Sequence, residues 1–367
     1  MALDGDTHDD AVEENAALAQ AAGLVYVHDD DPGITRTGTP NAFDYLRPNG
    51  QPVKDPATLE RIRKLAIPPA YREVWICPRA DGHLQATGRD DRGRKQYRYH
   101  DEWSAMRGET KFARMAAFGR MLPRIRKRVE ADLGKRGAPL DKAVALVVRL
   151  LELTLIRVGN DAYARENRSF GLTTLRNRHV DLHGATLELE FKGKSGIVHK
   201  VALHDRRLVR IVRSIQELPG QRLFQYLDAD GTRHAVESRH VNAYLQEITG
   251  EAFTAKDFRT WAGTIAAAKA LAMQPYPESA AAAKRTVALC VKATAGLLGN
   301  TPAVCRAAYI HPGVLKAFAD KALPKRFATA EGPSYERAML RFLDALSEDV
   351  EKTTGLSKRA QVGVSGG

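Results

Sequence analysis

Apolar positions fall into two textures along the chain. From Leu24 to about Trp103 they form short runs ("GLVYV", "REVWICP", "HLQATG") broken by Pro and Gly, which predicts a small β-rich lobe with one helix near "PATLERIRKLA". The texture changes near residues 101–110. "KFARMAAFGRMLPRIRKRVEADLG" and "DKAVALVVRLLELTLIRVG" have the length and periodicity of helices, and helical patterning dominates to about residue 350. One stretch interrupts it. "ATLELEFKGKSGIVHKVAL" sets Leu187, Leu189 and Phe191 against Glu188 and Glu190, turns through "KGKSG" and resumes at Ile197 and Val198, a hairpin with Lys194 in its turn. The expected organisation is an acidic flexible tail over 1–20, a β-rich lobe over 21–105, a mostly helical domain over 106–350 and a flexible tail over 351–367. That makes an α+β chain of two lobes, with no repeat at solenoid periods.

Charge adds a partner to this picture. The formal net charge is +12, but residues 1–32 hold nine acidic residues and no Lys or Arg. The remainder carries 56 basic against 44 − 9 = 35 acidic residues, an excess of 21. A body that basic attracts a polyanion, and nucleic acid is the expected one. No run of 18 apolar residues suggests a membrane span, and "MALDGDTHDD" lacks the regions of a signal peptide, so a cytoplasmic, nucleoid-associated protein is expected. Cys77, Cys290 and Cys305 show no metal-ligand spacing and cannot all pair, as in a reducing compartment.

"GRDDRGRKQYRYHDEW" mixes cations with groups that can address bases. Arg94 and Lys95 can neutralise phosphates, while Gln96, Tyr97 and Tyr99 can hydrogen-bond or stack, so the stretch is either a DNA-contacting segment or a basic surface hairpin turning at Gly93. Other positions have a plain structural reading. Arg157 closes an apolar helix before Gly159, as a cation complementing the helix dipole. Arg259 sits in the first turns of a helix that Thr254 and Asp257 would cap, and Asn300 precedes the N-cap and N1 pair Thr301 and Pro302. Tyr309 ends that short helix ahead of Pro312, where a packed tyrosine is common. Lys194, at a hairpin tip, would ordinarily be solvated.

Taken in order, these positions resemble the type IB DNA topoisomerases, in particular the poxvirus-like and bacterial branch. "LIRVGN" is similar to the family's first catalytic arginine segment (Arg157), with "GLTTLRNRHV" following at the family's distance, and "EFKGKSG" to its Phe-x-Gly-Lys hairpin turn (Lys194). "KDFRT" is similar to its Lys-x-x-Arg-Thr motif (Arg259), Tyr309 falls at the nucleophile's place with Asn300 upstream, and "GRKQYRY" resembles the segment this branch lays in the major groove. Two positions depart from the viral pattern: Asn300 stands for a histidine and Ser195 for an acidic residue. The resemblance implies a two-lobed clamp on double-stranded DNA, working as a monomer without ATP, metal or other cofactor. Tyr309 would form a 3′-phosphotyrosyl intermediate, Arg157, Arg259 and Asn300 would stabilise charge on the phosphate, and Lys194 would protonate the leaving oxygen. The alternatives are a tyrosine recombinase, which usually shows His-x-x-Arg where this chain has "KDFR", and a non-enzymatic nucleoid-binding protein, which leaves the ordered pentad unexplained.

Overall fold

The computed structural model describes residues 15–40 and 42–354 and divides the chain into two compact units, residues 1–111 and 112–367. In the first, five short strands form one antiparallel sheet in the order β2-β1-β3-β4-β5: β1 (Ile34–Thr39), β2 (Ala42–Leu46), β3 (Arg72–Ile76), β4 (Leu84–Arg89) and β5 (Lys95–Tyr99). Ile34, Val74, Ile76 and Ala86 bury one side of the sheet with Val53 and with Ile62 of helix α2 (Pro56–Lys64). That helix forms where the sequence predicts it. Pro56 opens it and the Asp55 carboxylate accepts the Thr58 N–H at 2.8 Å, so an orphan donor of the first turn is satisfied. The β4–β5 turn passes through Gly93 at φ +73°, a left-handed conformation that suits glycine, and β5 is left as an edge strand.

Residues 15–21 correct the expected extent of the acidic tail. They form helix α1, in which Ala19 is fully buried with Leu24 and Trp103, so apolar burial orders this segment. Residues 1–14, the rest of that expected tail, lie outside the described residues, as do 355–367 at the other end.

The division between the units falls inside α3 (Asp101–Leu133). The second unit is built around α4 (Leu140–Thr154), whose Ala143–Val148, Leu150 and Leu151 are all buried. An apolar helix of that kind needs neighbours on all sides. It gets them from α6 (Arg206–Gln216), α7 (Ser238–Thr249) and α8 (Ala255–Ala272), and from residues Gln225–Leu227. Arg126 of α3 makes ion pairs at 2.6 Å with Glu152 of α4 and with Glu336 of α12 (Gly332–Thr354). Alternation in the β-rich interruption yields a three-stranded antiparallel sheet of β6 (Val180–His183), β7 (Thr186–Lys192) and β8 (Val198–His204). Leu187, Leu189 and Phe191 turn inward as predicted, and Lys194 lies in the β7–β8 turn. Helices α5 (Asp161–Asn167), α9 (Ala280–Leu298), α10 (Pro302–Tyr309) and α11 (Pro312–Ala319) and the two-stranded pair β9 (Gln225–Leu227) and β10 (Arg233–Ala235) complete the unit. Among the described residues no single helix is long and apolar enough to cross a membrane. The three cysteines are buried and unbridged.

Candidate functional site

Arg157, Lys194, Arg259 and Tyr309, far apart in sequence, line one cavity of about 490 Å³ in the second unit. Arg157 reaches it by a route that the apolar pattern does not show. The sequence reading makes it the closing residue of α4, but the helix stops at Thr154 because Leu155 turns left-handed at φ +55°. Arg157 therefore lies in the irregular segment beyond, where Gly171 packs so closely that a Cβ there would come within 2.5 Å of the Arg157 carbonyl. Arg259 is placed as expected. Thr254 and Asp257 form a capping box at the start of α8, and Arg259 projects from the second turn with only 4% exposure. One of its terminal nitrogens donates to the Leu155 carbonyl and the other to the Leu298 carbonyl at 2.7 Å.

Asn300 stands just off the cavity wall and completes the cluster. Thr301 caps α10, Pro302 occupies its first turn, and the loop before them holds Asn300 so that its Oδ1 accepts from Arg157. The Gly299 carbonyl accepts from the same guanidinium nitrogen at 3.3 Å. With Oδ1 engaged, the Asn300 amide nitrogen is buried with no hydrogen-bond partner, and so is Nε of Arg259. Buried donors in that state cost about 1–3 kcal/mol each until an acceptor arrives. Tyr309 ends α10 with its ring 5.1 Å from the Arg259 guanidinium carbon. Lys194 is exposed in the hairpin turn, its ammonium 6.0 Å from the Tyr163 ring centroid.

The cavity is built for an anion. Arg157, Lys194, Lys256 and Arg259 line it, and among the described lining residues none is acidic. Burial lowers the Arg157 pKa, and repulsion from Arg259 lowers it further. A tetrahedral oxyanion between the two guanidiniums would accept from unused donors of both and from Asn300. Asn160, Tyr163 and Lys256 also line the cavity and went unassigned in the sequence, although Lys256 opens the "KDFRT" motif. Nothing local marks Asn160 or Tyr163, since what brings them here is the turn after α4.

The five candidate DNA-contacting residues of the first unit do not share one surface. Period-two alternation along β5 puts Lys95, Tyr97 and Tyr99 on one exposed face, with the two tyrosine rings parallel at 6.0 Å. Gln96 points to the other face and is half-buried. Its side-chain nitrogen donates to Asp90 at 3.0 Å, and the same carboxylate pairs with Arg94 at 2.6 Å, which drives the Asp90 pKa down to about 2. Lys95 is also engaged, in a 2.5 Å ion pair with Asp29.

Comparison with known proteins follows the same ground. Residues 100–330, which span Arg157 to Tyr309, match the family described as "Eukaryotic DNA topoisomerase I, catalytic core", and residues 42–90 match "Bacterial DNA topoisomerase IB, N-terminal domain". DNA topoisomerase 1B of Acanthamoeba polyphaga mimivirus is 31% identical over 325 residues, covering 87% of this chain and 96% of the viral protein. DNA topoisomerase 1B of Vaccinia virus (strain Copenhagen) is 23% identical over 254 residues, 68% of this chain and 77% of its own. DNA topoisomerase 1 of Rabbit fibroma virus (strain Kasza) is 24% identical over 269 residues, 71% and 81% respectively.

Proposed function

The chain belongs to the type IB DNA topoisomerases, and on that premise we propose that it relaxes supercoiled DNA through the five residues gathered at the cavity, with Tyr309 as nucleophile. The observation that carries the assignment is the convergence of Arg157, Lys194, Arg259 and Tyr309 on one cationic cavity, with Asn300 bonded to Arg157. The Tyr309 oxygen attacks a backbone phosphorus, the bond from phosphorus to the 5′ oxygen breaks, and a 3′-phosphotyrosyl ester remains. Arg157, the free Nε–H of Arg259 and the free amide of Asn300 donate to the non-bridging oxygens, where charge grows in the transition state. The phenol proton passes to water, the 5′ oxygen takes one from Lys194, and water reprotonates the lysine, so the proton count closes. The ester keeps the energy of the broken bond, so resealing is the reverse attack and needs no ATP. While the 5′ end is free the duplex turns and loses supercoils.

One chain carries all five groups, which supports a monomer as the working unit on double-stranded DNA. Residues 21–105 supply the DNA-contacting sheet in this reading and 106–350 the catalysis. The basic charge of the body supports a cytoplasmic location at the nucleoid. Tyr309→Phe tests the assignment by removing one oxygen from an otherwise intact ring. The variant is expected to bind supercoiled plasmid as wild type does, to relax none, and to leave no protein on DNA after denaturation, whereas wild type is trapped on the 3′ end of the nick. A covalent adduct formed by the Phe variant would move the nucleophile to another residue.

A further inference from the structure

A histidine that takes no part in the chemistry sits between the Lys194 turn and the Asn300 loop. His199, on β8, stacks nearly parallel on the buried Phe191 ring, with centroids 5.1 Å apart and planes 12° from parallel. Two glycines close on its edges. A Cβ on Gly193 would come within 2.5 Å of His199 Cδ2, and a Cβ on Gly299 within 2.9 Å of His199 Cε1. Gly193 immediately precedes Lys194 and closes the turn by donating to the Ile197 carbonyl at 2.7 Å. Gly299 immediately precedes Asn300, and its carbonyl accepts from Arg157. The imidazole therefore fills the space between the backbone that carries the lysine and the backbone that carries the amide.

We propose that His199 is a positioning residue: its ring, stacked on Phe191 and held between Gly193 and Gly299, sets the height of the Lys194 turn over the phosphate. The inference rests on the proposed role of Lys194 as proton donor. Burial, and then the charges of Arg157 and Arg259, lower the His199 pKa, so near neutrality the ring serves as an uncharged spacer. An exposed lysine on a hairpin tip has few contacts of its own to fix it, and the flat ring beneath its backbone supplies a fixed seat. It also accounts for glycine at 193, where φ is −92° and conformation alone would admit other residues.

The test uses a duplex with a cleavage site mapped for the wild-type protein, made with oxygen or with sulfur at the 5′ bridging position. An alkoxide leaving group, with a conjugate acid near the ~15.7 of water, needs a proton, whereas a thiolate, with a reference pKa of about 8.5, departs without one. His199→Ala is expected to slow single-turnover cleavage of the oxygen duplex by about 100-fold, the scale of a misplaced catalytic group, and to cleave the sulfur duplex within about threefold of wild type. Gly193→Ala leaves the histidine in place but pushes the turn off it, so it should show the same selective loss if His199→Ala does not fold. Asn300→Ala, acting on non-bridging oxygens, should be slow on both. Lys194→Ala, run in parallel, separates the premise from the inference. If sulfur does not rescue Lys194→Ala, the proton-donor reading fails and the role of His199 fails with it. If Lys194→Ala is rescued while the His199 and Gly193 variants are equally slow on both duplexes, or slow on neither, only the positioning role is overturned.

Discussion

A side-chain amide offers one acceptor and two donors, and the proposed mechanism gives the two ends of Asn300 different tasks. Its oxygen takes a hydrogen bond from Arg157, which leaves the nitrogen to donate where a phosphate would lie. A neutral histidine can split its two ring nitrogens in the same way, so the departure from the viral pattern preserves a neutral donor. That much followed from the residue type alone. The partners of Lys95 did not, because Asp29 lies far from it in sequence and nothing local pairs the two. In the fold the Asp29 carboxylate accepts from both Lys95 and Thr87, at 2.5 and 2.9 Å. Burial raises its pKa, but the bonds from Lys95 and Thr87 outweigh burial and leave it lowered. In the proposed DNA contact Lys95 would thus arrive with a counter-charge already in place and would contribute less to binding than a free lysine. Asp29→Asn is expected to tighten binding across DNA sequences and to steepen the dependence of log K on log salt by up to about one contact, measured by titration at several salt concentrations. An unchanged slope would mean that Lys95 does not reach a phosphate.

Among elements, the hairpin and α10 were legible because each carries a complete local signal. Strict alternation at Leu187, Leu189 and Phe191 allows only one face inward, and Thr301 with Pro302 marks a helix start. The end of α4 was not legible. Apolar residues continue through "LTLIRVG", and a leucine in the left-handed region announces no stop. What holds that turn is distant in sequence: the Leu155 carbonyl accepts from Arg259 on α8. The same helix fixes the Tyr309 end of α10. Thr264 accepts the His311 N–H at 3.0 Å and donates to the Tyr309 carbonyl at 3.3 Å. Gly263 lets the two helices approach so closely that a Cβ would lie 2.7 Å from the Tyr309 carbonyl oxygen. Gly263→Ala would ordinarily favour a helix by about 1 kcal/mol, but here the methyl meets backbone and the clash dominates. Urea unfolding should show a net loss of roughly 1–3 kcal/mol, with cleavage slowed more than DNA binding. A stabilised variant with wild-type cleavage would show that α8 and α10 can separate at no cost to Tyr309.

At the scale of the whole molecule, each unit holds a histidine that burial keeps neutral in the folded state and whose protonation costs stability. His83 in the first accepts the Val27 N–H on Nδ1 at 3.1 Å and stacks on Tyr26 at 4.1 Å. His311 in the second accepts the Gly313 N–H on Nδ1 at 3.0 Å, capping α11, and lies against Phe112 at 5.2 Å. Burial lowers both pKa values to about 4 from 6.5. Protonation would cost each ring its acceptor, and at His311 it would also set a positive charge at a helix N-terminus. The sign follows from proton counts: between about pH 4 and 6.5 the unfolded chain binds the proton and the native chain does not. Stability is therefore fully present above pH 6.5 and falls as pH drops toward 4, by about 2 kcal/mol per histidine between pH 7.5 and 5. Urea unfolding at those two pH values measures it, with Trp75 and Trp103 reporting on the first unit and Trp261 on the second. Whatever they cost at pH 7.5, His83→Asn should reduce the pH dependence of the first unit alone, and His311→Asn, which keeps a capping oxygen, that of the second alone, where His179, His199 and His240, also lowered by burial, leave a smaller dependence in place. A pH dependence that neither substitution reduces would place the titrating groups elsewhere.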